Sequence, residues 1–152
     1  MKNKFIQMGI WSLILIILDQ ITKYFIYKSN SGPVNLLGDF FRIEYSQNTG
    51  VAFGIPVPHT LLIIGNILLI GLIAWIIQKE FDLHQPIAKT GLILIISGAF
   101  GNIIDRLIYG FVIDFIAVWR WPNFNLADIY ISIGILIMIV FYGRTDTKCP
   151  KK

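Results

Sequence analysis

The run TLLIIGNILLIGLIAWII, Thr60 to Ile77, carries no charged side chain. In hydrocarbon every backbone N–H and C=O must be bonded within the protein, so a run of this kind is restricted to a helix crossing a bilayer core of ~30 Å. Three further runs read the same way: about Gln7 to Tyr27, Ala88 to Tyr109 and Leu126 to Tyr142. Four spans occupy most of a 152-residue chain, which predicts one membrane-embedded domain over 1–152 and leaves no room for a separate soluble enzyme. The mean hydropathy of +0.68 excludes an ordinary soluble domain.

The opening MKNKFIQMGIWSLILIIL begins as a secretory signal peptide does. No small-residue cleavage site follows, and the run continues through DQITKYFIY, so it is read as a retained first span. Lys2 and Lys4 precede that span, Lys79 and Lys89 flank the turn after the second, and Arg144, Lys148, Lys151 and Lys152 crowd the tail. Basic residues gather on the cytoplasmic side, which puts both termini there and agrees with an even number of spans. Lys28, Arg42, Arg106 and Arg120 fall on the other side as a minority. The net charge of +4 therefore serves to hold the tail inside, and no nucleic-acid partner is expected. Cys149 has no second cysteine to pair with, and the Pro-Lys-Lys after it is not a prenylation pattern.

The long outer connection, about residues 28–59, contains DFFRIEYS, in which Phe41, Ile43 and Tyr45 alternate with Arg42, Glu44 and Ser46. A period of two predicts a half-buried strand, and the flanking glycines and prolines exclude a helix. A small β element on the outer membrane surface is expected.

Charges inside a span cost at least about 2.5–3.5 kcal/mol each, so each calls for a partner or a task. With the N-terminus inside, Asp19, Lys23, Asp105, Arg106, Asp114 and Asp128 all fall near the outer leaflet. A path for ions or protons would distribute polar groups through the whole depth; this gathering points to a one-sided site. Structural roles stand beside functional ones. Asp128, three residues after Asn125, fits a helix N-terminal cap. Asp19 and Lys23, four apart, can pair on one helix face, and Asp105 can pair with Arg106. Asp114, in FVIDFIAV, has no local partner and is the strongest functional candidate. Asn48 and Asn125 suit turns or caps, whereas Asn102 lies inside a span, where an amide needs a partner and can hold a substrate backbone.

Two close carboxylates share a proton, one serving as general base toward water while the other donates to a carbonyl. No rival set is present: His59 and His84 are lone loop residues, Ser97 has no histidine to activate it, and no HExxH or Cys/His cluster offers a metal site. A helix N-terminus at Asp128 favours its charged form and the apolar surroundings of Asp114 its neutral form, which makes Asp128 the more charged partner.

The segments DQITK (Asp19 to Lys23), NTGVAFG (Asn48 to Gly54), SGAFGNIIDR (Ser97 to Arg106), VIDF (Val112 to Phe115) and FNLAD (Phe124 to Asp128) occur in this order among four spans. Together they resemble the lipoprotein signal peptidases, or signal peptidase II, bacterial membrane-embedded aspartic proteases. The resemblance implies an α-helical integral membrane protein of four transmembrane helices with an extracytoplasmic β cradle. It implies a multi-pass enzyme of the bacterial plasma (inner) membrane with its site at the outer face and no metal or other cofactor. The substrate would be a diacylglyceryl-modified prolipoprotein, cut on the amino side of the lipidated cysteine, with membrane lipid as surroundings and the enzyme acting as a monomer. Asp114 and Asp128 fall on the family's catalytic pair. Asp19, Lys23, Asn48, Gly50, Asn102, Asp105, Arg106, Asn125 and Ala127 fall on motif positions that support the pair or contact substrate. One departure is Ser97, where the family motif usually opens with glycine. A small transporter or ion-conducting subunit using intramembrane acids, or a scaffold whose acids only pair with Lys23 and Arg106, are the competing readings of the residues themselves.

Overall fold

The computed structural model describes residues 2–29, 32–50, 58–81 and 85–142. The basic tail with Cys149, the end of the NTGVAFG segment and His84 lie outside the described residues. In chain order the elements are α1 (Lys2–Ser29), β1 (Val34–Leu37), β2 (Phe41–Asn48), α2 (His59–Glu80), α3 (Pro86–Tyr109), β3 (Val112–Val118) and α4 (Leu126–Val140). The result is a four-helix bundle with a small open sheet at one end. α1, α2 and α3 are long and apolar enough to cross a membrane, whereas α4 has 15 residues. At 1.5 Å per residue α4 is about 22 Å long, short of the hydrocarbon core. His59 opens α2 and does not lie in a loop.

α3 is the central helix, packing against α1, α2 and α4. Its buried face runs through Ala88, Gly91, Leu92, Ile95, Ser97, Gly98, Gly101, Asn102, Ile103 and Asp105. Lipid is as apolar as leucine, so helices associate in a bilayer through close contact and polar bonds. Small residues supply the contact: a Cβ at Gly134 of α4 would lie 2.8 Å from the Gly91 carbonyl, and one at Gly98 would meet the Ala127 carbonyl. Ser97 is fully buried and donates its hydroxyl to the Ile93 carbonyl at 2.6 Å, so the extra side chain folds back onto its own helix. Away from the sheet, Ile77, Phe81, Ala88, Leu92, Ile95 and Met138 form an apolar core. The outward faces expose Trp11, Leu13, Leu68, Leu69 and Leu136, as a lipid-facing surface does.

The sheet has the antiparallel order β1-β2-β3. β2 meets the expectation of a half-buried strand, with Arg42 and Glu44 on one face joined at 3.3 Å. The third strand does not come from the outer connection. It is VIDFIAV, Val112–Val118, in the connection between α3 and α4. Burial on both faces removes the alternation that marks a strand and leaves a continuous apolar run, ambiguous by periodicity alone. Gly110, at φ 84°, closes α3 in the left-handed conformation, with its N–H on the Arg106 carbonyl at 3.2 Å, and turns the chain into β3.

Candidate functional site

The polar residues collect where α1, α3, β3 and the start of α4 meet below the sheet. Asp19, Lys23, Asp105, Asp114 and Asn125 are each 2 % exposed or less, and Asn102 is 9 % exposed. In so dry a place each must be bonded, and the bonds run from one helix to the next.

Between α1 and α3, Lys23 Nζ lies 2.9 Å from Asp19 Oδ2 and 2.9 Å from Asp105 Oδ2. Asp19 also accepts the Ala127 N–H at 3.0 Å, tying α1 to the start of α4. Asp105 accepts the Ile113 N–H at 3.1 Å, which fixes where β3 begins. Ala127 is fully buried, and its Cβ would lie 3.3 Å from a Cβ built at Gly101, so the two positions need small residues for this approach.

The expected pair of Asp105 with Arg106 is not formed. Neighbours on a helix point about 100° apart, and Asp105 turns inward to Lys23 while Arg106 donates to the Asn102 carbonyl at 3.3 Å. Among the described residues, Arg106 Nε is buried without a hydrogen-bond partner. Gln20, not singled out from the sequence, bonds Asp105 Oδ1 at 2.9 Å and the Gly101 carbonyl at 3.1 Å. An amide next to Asp19 within an apolar run was the available signal, because a buried amide needs partners.

Asp114 is carried by β3 and Asp128 by the first turn of α4. The β2–β3 register sets Asp114 opposite Ser46. Phe124 pairs with Ile116 through bonds of 2.8 and 3.1 Å, so the chain after β3 doubles back and delivers Asn125 beside Asp114. Asn125 and Asp128 form a capping box at the start of α4: Asn125 Oδ1 accepts the Asp128 N–H at 3.0 Å, and Asp128 Oδ2 accepts the Asn125 N–H at 3.2 Å. The capping role foreseen for both residues is therefore present. The same Asn125 donates Nδ2 to Asp114 Oδ1 at 2.7 Å, so one residue is bonded to both carboxylates.

Each acid has a further amide. Asn48 Nδ2 reaches Asp114 Oδ2 at 2.9 Å, and Asn102 Nδ2 reaches Asp128 Oδ1 at 2.8 Å. Asn102 was expected to be available to a substrate backbone. Within the protein its oxygen also accepts from Lys23 at 3.0 Å and Asn125 at 3.2 Å. Gly50 donates its N–H to Asn48 Oδ1 at 2.8 Å and holds φ 75°, a conformation that glycine adopts without penalty. This local turn orients the Asn48 amide toward Asp114.

Burial pushes the Asp114 carboxyl up to about 6, with the bond from Asn48 opposing the shift and the nearby charge of Asp128 adding to it. A proton on Asp114 is thus retained well above the ordinary carboxylate range. Beside Asp128, a groove of about 300 Å³ is lined by Trp121, Phe124, Asp128, Ile129, Ser132 and Ile133. It shares Trp121 and Phe124 with a groove of about 500 Å³ that runs toward Phe40 and Trp119 at the sheet. Chemically, the arrangement offers one carboxyl able to hold a proton, a second carboxyl fixed by donors, and an apolar approach to Asp128. Among the described residues no group of three His, Cys, Asp or Glu side chains is arranged to hold a metal ion.

The family model described as Signal peptidase (SPase) II matches residues 11–143. The chain is 35% identical over 130 residues to a lipoprotein signal peptidase of Moorella thermoacetica, covering 84% of this chain and 86% of that one. It is 39% identical over 141 residues to a lipoprotein signal peptidase of Burkholderia mallei, covering 84% and 82%. A solved bacterial membrane enzyme superposes with a TM-score of 0.78 at 28% identity, covering 96% of this chain and 93% of that one. Sequence and fold agree over nearly the full length, and the chain belongs to the signal peptidase II family.

Proposed function

We propose that this chain is a membrane aspartic endopeptidase that removes the signal peptide from diacylglyceryl-modified prolipoproteins, cutting on the amino side of the lipidated cysteine, with Asp114 and Asp128 as its catalytic pair. Family membership supports the reaction. The observation that carries the residue assignment is the bonding of both acids to Asn125, whose position is itself fixed by the capping box.

Asp128, held at a helix N-terminus, acts as the base. It takes a proton from a water that attacks the scissile carbonyl carbon, and Asp114 donates its proton to the carbonyl oxygen. Collapse of the tetrahedral intermediate breaks the C–N bond, with the proton on Asp128 passing to the leaving amine and that of the intermediate's hydroxyl returning to Asp114. The groove alongside Asp128 and Ile129 serves as the lateral approach for the cleavage segment, leaving the acyl chains in lipid. Lys23 and Asp19, with Asp105, Asn102, Ala127 and Gly50, position the pair. Asn48 adjusts Asp114, and Arg106 braces the end of α3 through the Asn102 carbonyl.

The chain works as a single domain and a monomer. It crosses the plasma membrane four times with both termini cytoplasmic, and the acids lie at the outer face where water reaches them. The 15-residue α4 suits this arrangement, since it begins at the depth of the acids below the sheet.

The test is cleavage of a diacylglyceryl prolipoprotein peptide by the purified parent and by folded Asp114→Asn and Asp128→Asn. Cleavage by the parent and its loss in both variants is expected. A variant that cuts at the parental rate removes its residue from the pair, and a parent that carries ions in vesicles without cleaving returns the transporter reading.

A further inference from the structure

Lys23 is fully buried and lies two hydrogen bonds away from Asp128, and its chemistry dictates how the intervening amide must point. A lysine ammonium has three N–H donors and no acceptor. Its contacts, Asp19 Oδ2, Asp105 Oδ2 and Asn102 Oδ1, lie at 2.9, 2.9 and 3.0 Å, one for each donor. Only oxygen can face that ammonium, so Asn102 is obliged to turn Oδ1 toward α1 and Nδ2 toward Asp128. Reversed, the amide would set its NH₂ against the ammonium and its oxygen against the carboxylate. The Asn125 amide has its own lock, because the capping box holds Oδ1 on the Asp128 N–H. Its Nδ2 is thereby left for Asp114 Oδ1 and Asn102 Oδ1.

Building on the peptidase reading, we propose that Lys23 is a positioning residue that acts through the Asn102 amide to present Asp128 with an N–H donor, and so selects Asp128 as the ionised member of the pair. A purely structural lysine would only neutralise Asp19 and Asp105. Among the described residues, Arg106 on α3 and Asp114 on β3 interact with Asp128 through their charges, Lys23 on α1 reaches it through Asn102, and Asp19 on α1 and Asp105 on α3 are paired with Lys23. Of these cations, Lys23 bonds to the amide that Asp128 accepts from.

The experiment replaces the buried charges together, as Asp19→Asn/Lys23→Met/Asp105→Asn, so that no acid is stranded and each new amide keeps an oxygen for the Ala127 or Ile113 N–H. Cleavage of the diacylglyceryl peptide is then followed as kcat/KM against pH. The acid limb is expected to move about one pH unit higher, a roughly tenfold loss on the acid side. Asn102→Leu is expected to move it alike, and the combination no further. A parental acid limb in the combined charge variant, or additive displacements, overturns the proposal. If that variant does not fold, Lys23→Arg and Lys23→Gln decide. Arginine offers only donors and keeps the parental limb, while glutamine can turn an oxygen to Asn102 and moves it; equal limbs overturn the proposal. A parent that fails to cleave refutes the peptidase reading instead, which a cleaving parent with unmoved limbs does not.

Discussion

The two ends of α3 are built by different physics. Toward its N-terminus, Ala88, Gly91, Leu92 and Ile95 pack on Ile77, Phe81 and Met138 with no polar side chain in the core. Toward its C-terminus, Asn102 and Asp105 sit among Asp19, Lys23, Asp114 and Asn125. In lipid the apolar end gains from shape alone, because a leucine turned outward loses little. The polar end has no such alternative: hydrocarbon accepts no hydrogen bond, so every buried group there must keep its partner. The apolar end should therefore tolerate change in proportion to volume, and the polar end should fail abruptly.

The largest expected effect is on catalysis at the polar end. Asp114→Asn or Asp128→Asn should lower kcat by about 10²–10⁴-fold, the range associated with acid–base groups, while preserving the fold. An equal loss from a mutation at Met138 would erase the distinction between the two ends.

Next in size is Lys23→Met alone, which strands Asp19 and Asp105 in a site where both are fully buried. Breaking a buried ion pair from one side costs about 3–5 kcal/mol, so denaturation in detergent micelles should show a loss of that order. Restoring Asp19→Asn and Asp105→Asn should recover most of it.

Stability should also depend on pH through Asp114. Its carboxyl is raised to about 6 in the folded protein against the ordinary 3.8 when unfolded. The folded state therefore binds the proton more tightly, and stability is greatest below the unfolded value and declines as pH rises from about 4 to about 6. The decline is on the order of 3 kcal/mol and should vanish in Asp114→Asn. Removing the opposing donor with Asn48→Ala should carry the end of that window to higher pH, and with it the alkaline limb of kcat/KM.

The smallest effect belongs to the apolar end. Met138→Ala should cost about 2 kcal/mol through the void it leaves against Gly91, with cleavage unchanged. Nearly parental stability would mean that lipid fills the gap, and would sharpen the contrast further.

The order of the apolar runs, the alternating strand DFFRIEYS and the capping pair Asn125 and Asp128 are local features, and all are legible in the sequence because helix period, strand period and caps depend on near neighbours. The gathering of the acids in one cluster is legible too, since the cost of charge in hydrocarbon restricts where each can lie. The partners of the charges are not. Asp105 stands beside Arg106 in the chain yet pairs with Lys23, from a helix eighty-two positions earlier, and a strand buried on both faces conceals its period. Asp114 lacks any partner among its sequence neighbours, and receives Asn48 across the sheet and Asn125 across a reversed chain. The sequence by itself determined which groups must be bonded. Only the tertiary structure decided to which partners, because a buried donor takes whichever acceptor packing brings within reach.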